Sequence, residues 1–121
     1  MPITFEVDEQ ANFVDVKATG VVTEEDLLQY QTTLMADPRI RPGLRVLFDA
    51  RAAEPGGLTP EAIHIIASLD RKLRQTCPAD KSAIVVRDQW AADLAHEFEK
   101  NTETNAVVFF NLGVAKTWLG I

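Results

Sequence analysis

The sequence predicts a single α/β domain built on one mixed sheet of about five strands, an antiparallel N-terminal hairpin followed by parallel strands, in a single layer with about four helices. Three observations carry this reading. The first segments alternate apolar and polar residues with period two. Three later runs, "LRVLFDA" (44–50), "AIVV" (83–86) and "AVVFF" (106–110), are apolar almost throughout, which suits strands covered on both faces. Each is followed by a stretch of helical apolar spacing, and strands alternating with helices call for right-handed crossovers.

Ile3, Phe5 and Val7 alternate with Thr4, Glu6 and Asp8, and "FVDVKATG" (13–20) repeats the pattern beyond the turn-forming "DEQAN" (8–12), so a hairpin is expected. The period then changes. In "VTEEDLLQYQTTLMADP" (22–38), Thr23 can cap a helix, Asp26 can reach back to it, and Leu27, Leu28, Leu34 and Met35 form an apolar stripe. The helix should stop at Ala36 or Asp37, ahead of Pro38. A second helix starts with Thr59 as N-cap and Pro60 in its first position, and carries Ala62, Ile66, Leu69 and Leu73 at helical spacing. A third begins at Asp88 with Trp90, Ala91, Leu94, Ala95 and Phe98 on one side, and "GVAKTWLGI" (113–121) closes the chain as a short helix presenting Trp118 and Leu119.

At 121 residues, the whole chain (1–121) fits one compact domain that removes roughly two-thirds of its unfolded surface from water. Twelve basic against eighteen acidic residues repel a polyanion, and Arg39, Arg41, Arg45 and Arg51 lack the aromatic interleaving of a single-strand binder, so no nucleic-acid partner is expected. The lone Cys77 forms neither a disulfide framework nor a metal pair, and is expected to be a small buried group in a reducing compartment. "MPITFEVDEQ" has no basic segment followed by an apolar one, and "AVVFF" is far too short to span a bilayer. A cytoplasmic location without a membrane span follows as the expectation.

Parallel sheets bind ligands beyond the carboxyl ends of their strands. The residues that follow the central strands are Asp49, Arg51, Arg87, Asp88 and Asn111, expected to converge near the "PGG" loop (55–57) as an anion site or a polar docking edge. Each also has a purely structural reading: Asp88 as a helix cap, Asn111 as a turn residue, Asp49 as acceptor for the following loop. Gly56 and Gly57 would supply backbone freedom for the turn.

Stronger motifs are not met. "EPGGLTPE" (54–61) has neither the spacing nor the Lys of a phosphate loop, and the last strand reads Phe109, Phe110 where a receiver-type phospho-acceptor site needs a Lys. "HEFEK" (96–100) places Lys100 where a zinc HExxH motif has its second His, so His96 and Glu97 are read as a solvated helix face. His64, among Ile63, Ile65 and Ile66, is read as a partly covered, hydrogen-bonded imidazole with no nucleophile in its helix. No catalytic group, metal or cofactor is assigned.

Four segments, "GVVTEEDLLQY" (20–30), "LRVLFDAR" (44–51), "AIVVRD" (83–88) and "VVFFNLGVAKTWL" (107–119), give the chain a resemblance to the SpoIIAA-like branch of the STAS/SEC14 group of small bacterial domains. The resemblance implies helices largely on one side of the sheet and a role in docking polypeptides. The best-known relatives oppose anti-sigma factors and are switched by phosphorylation of a Ser at the start of the helix after the third strand. Here "EPGGLTPEA" (54–62) leaves Thr59 as the only hydroxyl, well explained as a helix cap, so the Ser switch is not carried over. Thr59 nevertheless joins the residues expected to contact a partner.

The leading expectation is therefore a non-enzymatic protein-interaction or regulatory module with a protein partner. The alternative, from the SEC14 side of the resemblance, is a carrier of a small apolar ligand or lipid, using apolar residues such as Tyr30, Ile65, Trp90 and Phe110 that would otherwise fill the core. If the helices leave one apolar sheet face bare, a homodimer is one way to cover it; the hairpin and the last helix are another.

Overall fold

The computed structural model describes residues 2–121. Strands β1 (Ile3–Asp8) and β2 (Phe13–Val22) form the antiparallel hairpin, pairing Ile3 with Ala18 and Asp8 with Phe13. Alternation does its work: Ile3, Val14, Val16 and Ala18 are buried on one face, while Thr4, Glu6 and Lys17 stay exposed on the other. In the turn, Asn12 takes a left-handed φ of 50°, which its short polar side chain tolerates, and its amide donates to the carbonyls of Arg41 and Pro42.

Helix α1 (Glu24–Met35) opens on the reciprocal cap foreseen in the sequence, the Thr23 hydroxyl accepting from the Asp26 N–H and the Asp26 carboxylate accepting from the Thr23 N–H. Then follow β3 (Leu44–Pro55), α2 (Pro60–Thr76), β4 (Ala79–Val85), α3 (Gln89–Asn101), β5 (Ala106–Phe109) and α4 (Leu112–Leu119). The sheet runs in the order β1-β2-β3-β4-β5, and every pairing after the first is parallel. No helix among the described residues is long and apolar enough to cross a membrane.

Helices α1, α2 and α3 pack side by side on one face, α2 touching both neighbours. Helix α4 lies on the other, burying Ala115 and Leu119 against Leu47, Ala83 and Val85. Two cations from the sheet hold its last turn: Lys81 Nζ donates to the Trp118 carbonyl at 2.9 Å and Arg45 to the Leu119 carbonyl at 2.8 Å, each placing positive charge at the negative end of the helix. The Trp118 ring packs on Phe109 with centroids 5.5 Å apart. So the apolar part of this face is covered by α4, while its β1–β2 part presents Glu6 and Lys17 to solvent. The physical premise for covering that face with a second copy of the chain is met within the chain itself.

Several boundaries and burials differ from expectation. Strand β3 continues to Pro55 rather than stopping at Ala50, because β2 runs to Val22 and offers a ladder from Thr19↔Ala52 to Val22↔Pro55. Strand β4 begins at Ala79, and β5 ends at Phe109. Trp90 does not join Ala91, Leu94 and Ala95 inside; it lies in the first turn of α3, beyond the strand ends, and is 61% exposed. Cys77 is only half-buried, since it ends α2 with its N–H bonded to the Leu73 carbonyl.

Candidate functional site

The carboxyl edge of the sheet is uneven. The ladder between β3 and β4 ends at Asp49↔Val85, yet β3 runs on with β2 as a two-stranded parallel ribbon that projects past the other strands. The ribbon closes where the Gly56 N–H donates to the Val22 carbonyl at 2.7 Å. A Cβ on Gly56 would stand 2.6 Å from Val21 Cγ1 and 3.0 Å from that carbonyl oxygen, so this glycine is required for space. Gly57, with φ of 70°, is the residue that supplies turning freedom.

All six sequence-derived candidates lie at this end, and they divide into ion pairs and caps. Asp49 sits in a row Lys17–Asp49–Val85–Phe109 across four strands, on the α4 side of the sheet. Its carboxylate accepts from Arg51 Nε and Nη2, both at 2.9 Å, and from the Arg51 backbone N–H at 3.2 Å. These bonds, with the positive field of Lys17 on the next strand, hold the Asp49 carboxyl below the usual carboxylate range. The acceptor role expected for Asp49 toward the following loop is thus filled inside its own strand. Arg87 approaches Asp88 at 3.9 Å, both half or more exposed.

Three members are helix caps. Asp88 Oδ1 accepts from the Ala91 N–H at 2.9 Å, Asn111 Oδ1 from the Val114 N–H at 3.0 Å and the Thr59 hydroxyl from the Ala62 N–H at 3.1 Å. No hydrogen bond or ion pair among the described residues joins the Asp49–Arg51 pair to Arg87, Asp88 or Asn111. The six form a rim of separately satisfied groups.

What the sequence reading missed is the apolar component of the same rim. Val21 on the projecting ribbon, Trp90 at the start of α3, Phe110 just past β5 and Val114 in the first turn of α4 are 58, 61, 56 and 55% exposed. Part of the signal was present: in "AVVFF" consecutive side chains alternate faces, and the last one falls past the strand with nothing above it. Of the residues proposed as surplus apolar surface, Ile65, Trp90 and Phe110 are exposed, whereas Tyr30 packs between Phe5 and Phe48 with centroids at 6.1 and 5.5 Å.

Neither histidine bonds a rim candidate among the described residues. His64 is more open than expected and meets Glu97 across the α2–α3 seam at 2.9 Å. Lys100 adds a contact at 3.1 Å, so Glu97 is a paired group rather than a merely solvated one, and the His64 bond, then Lys100, lower its pKa.

No family model matches the chain, and no curated protein matches it in sequence. Solved structures do. An uncharacterized protein of the DUF3478 family from Shewanella loihica PV-4, described as having a SpoIIAA-like fold, superposes with a TM-score of 0.67 over 97% of this chain and 93% of that one, at 19% identity. The fold is SpoIIAA-like. A second likeness is to SiaC from Pseudomonas aeruginosa, solved as the activator in complex with the diguanylate cyclase SiaD, with a TM-score of 0.53, 17% identity, and coverage of 88% of this chain and 90% of that one. At these identities the likeness is one of backbone architecture, which in this chain is five strands and four helices.

Proposed function

We propose that this SpoIIAA-like domain is a non-enzymatic interaction module that regulates a protein partner docked on the carboxyl edge of its sheet. The observation that carries the reading is the exposure of Trp90 and Phe110 at one end of the molecule, beside the Arg87–Asp88 pair. Aromatic residues and Arg are the groups enriched at protein interfaces, and two large rings held in water find their best use in a partner's pocket. Val21 and Val114 extend the apolar surface, and Asp49–Arg51 provides a pre-formed charged pair at which register can be set. The SiaC complex supports the reading by analogy of fold, since that neighbour is the activator of an enzyme and is solved in complex with it. Thr59 belongs to the same edge through its position at the start of α2, where it acts as a cap. The partner is read as a different protein, because α4 already covers the apolar sheet face that a second copy would have covered.

Immobilised wild-type protein is expected to retain a stoichiometric partner from extract of its own cells. The Trp90→Ala/Phe110→Ala double variant should lose that partner with an unchanged melting temperature, as both side chains are mostly solvated. Equal retention by both proteins overturns the rim as the docking surface, and retention of nothing by the wild type overturns the interaction module itself.

A further inference from the structure

Between the sheet and helices α1, α2 and α3 lies a cavity of about 170 Å³, walled by Leu34, Val46, Phe48, Ile66, Leu94 and Phe98 among others. Its polar lining comes chiefly from Tyr30 and Gln31 on α1 and Asp70 and Arg74 on α2. Gln31 is buried, with only 7% of the residue exposed; its Nε2 donates to the Ile66 carbonyl at 3.1 Å, while its Oε1 finds no hydrogen-bond partner among the described residues. Arg74 Nε is likewise without a hydrogen bond, because its 3.4 Å approach to Asp70 Oδ1 is an ion pair without hydrogen-bond geometry. Buried polar atoms left unpaired are costly enough to require an explanation.

The chemistry of this end is specific. Asp70 already neutralises Arg74, so an anionic headgroup would meet no uncommitted cation. An unpaired acceptor on a residue that lines the cavity needs a donor. Away from this polar end the walls are apolar and offer water few partners, and a void of about 150 Å³ with such walls accepts one benzene ring. We propose that this cavity binds a small neutral amphiphile, an apolar body of about one aromatic ring carrying a single hydroxyl or N–H that donates to Gln31 Oε1. The inference stands on the cavity and on Gln31, and is independent of docking at the rim.

Methyl-detected NMR titration of the intact chain tests it with three probes: phenol, benzene and benzoate. Phenol should shift the methyl signals of Leu34, Val46, Ile66 and Leu94 saturably at millimolar concentration, binding about five-fold or more tighter than benzene, with benzoate weaker than either. In the Gln31→Met variant, which keeps the side-chain length but removes the acceptor, phenol and benzene should bind alike. Failure of every probe to shift those methyls in the wild type overturns the cavity as a binding site. Equal affinity for phenol and benzene in the wild type, or a preference for phenol that survives Gln31→Met, overturns the role assigned to Gln31.

Discussion

Arg51 grips Asp49 from two residues along the same strand, Nε on one carboxylate oxygen and Nη2 on the other, each at 2.9 Å. A bidentate contact of this kind fixes the orientation of both groups, although the guanidinium side chain is 44% exposed and solvent screens the attraction.

The pH dependence follows from the direction of the Asp49 shift. A carboxyl whose folded pKa is depressed contributes stability above its unfolded value, about 3.9, and loses it as the pH falls through the lower folded value. Arg51→Ala is expected to move the Asp49 titration back toward that value, read by side-chain carboxyl NMR. It should cost under about 1 kcal/mol near neutrality, and the difference from wild type should vanish in urea unfolding at a pH acid enough to protonate Asp49.

Asp70 has a heavier structural duty. Its Oδ2 accepts from the Thr102 hydroxyl at 2.5 Å and the Thr104 hydroxyl at 3.2 Å, tying the loop before β5 to α2, and its Oδ1 faces Arg74. Asp70→Ala leaves a mostly buried guanidinium and two hydroxyls without their acceptor. It should lower unfolding free energy by about 3–5 kcal/mol in urea titration, a loss far above that for any rim residue.

The caps at Thr23 and Thr59 act on different helices through separate bonds, so their removal should be additive. Thr23→Ala and Thr59→Ala are each expected to cost about 1 kcal/mol by thermal or chemical unfolding. The double variant should lose the sum. A Thr59→Ala loss well below that of Thr23→Ala would suggest that the hydroxyl of Thr59 is retained for a purpose other than capping.

Gly56→Ala should be destabilising by about 1–3 kcal/mol, because its new methyl meets Val21 at 2.6 Å and the Val22 carbonyl at 3.0 Å. Adding Val21→Ala should recover part of the loss by removing the tighter clash, leaving the backbone contact. The reverse outcome for Gly56→Ala, a gain from reduced unfolded-state entropy, would mean that the ribbon can shift to make room.

Much of the architecture was legible because its signals are local. The Thr23–Asp26 pair, Thr59 ahead of Pro60 and Asp88 ahead of α3 all cap as read, since a capping bond spans only three residues. The apolar runs at 44–50, 83–86 and 106–110 became neighbouring parallel strands because short runs rich in β-branched and aromatic residues suit a sheet covered on both faces. The candidate site was legible only in position. Residues following the strands did reach one edge, but whether they met depended on strand lengths, and the overhang of β3 kept Asp49 and Arg51 paired with each other. Trp90 was misplaced for a related reason: helical spacing reports which residues share a face, not whether a neighbouring element reaches far enough to cover that face.

The order of strands and helices, their caps and the parallel core follow from the amino-acid sequence alone, because periodicity and capping act over a few residues. Packing between distant segments settled that α4 would close the second face of the sheet, that Trp90 and Phe110 would stand in water, and that Gln31, in the lining of an apolar cavity, would keep an unpaired oxygen. Those outcomes depend on how far each element extends over its neighbours, a distance set by packing between segments remote in the chain.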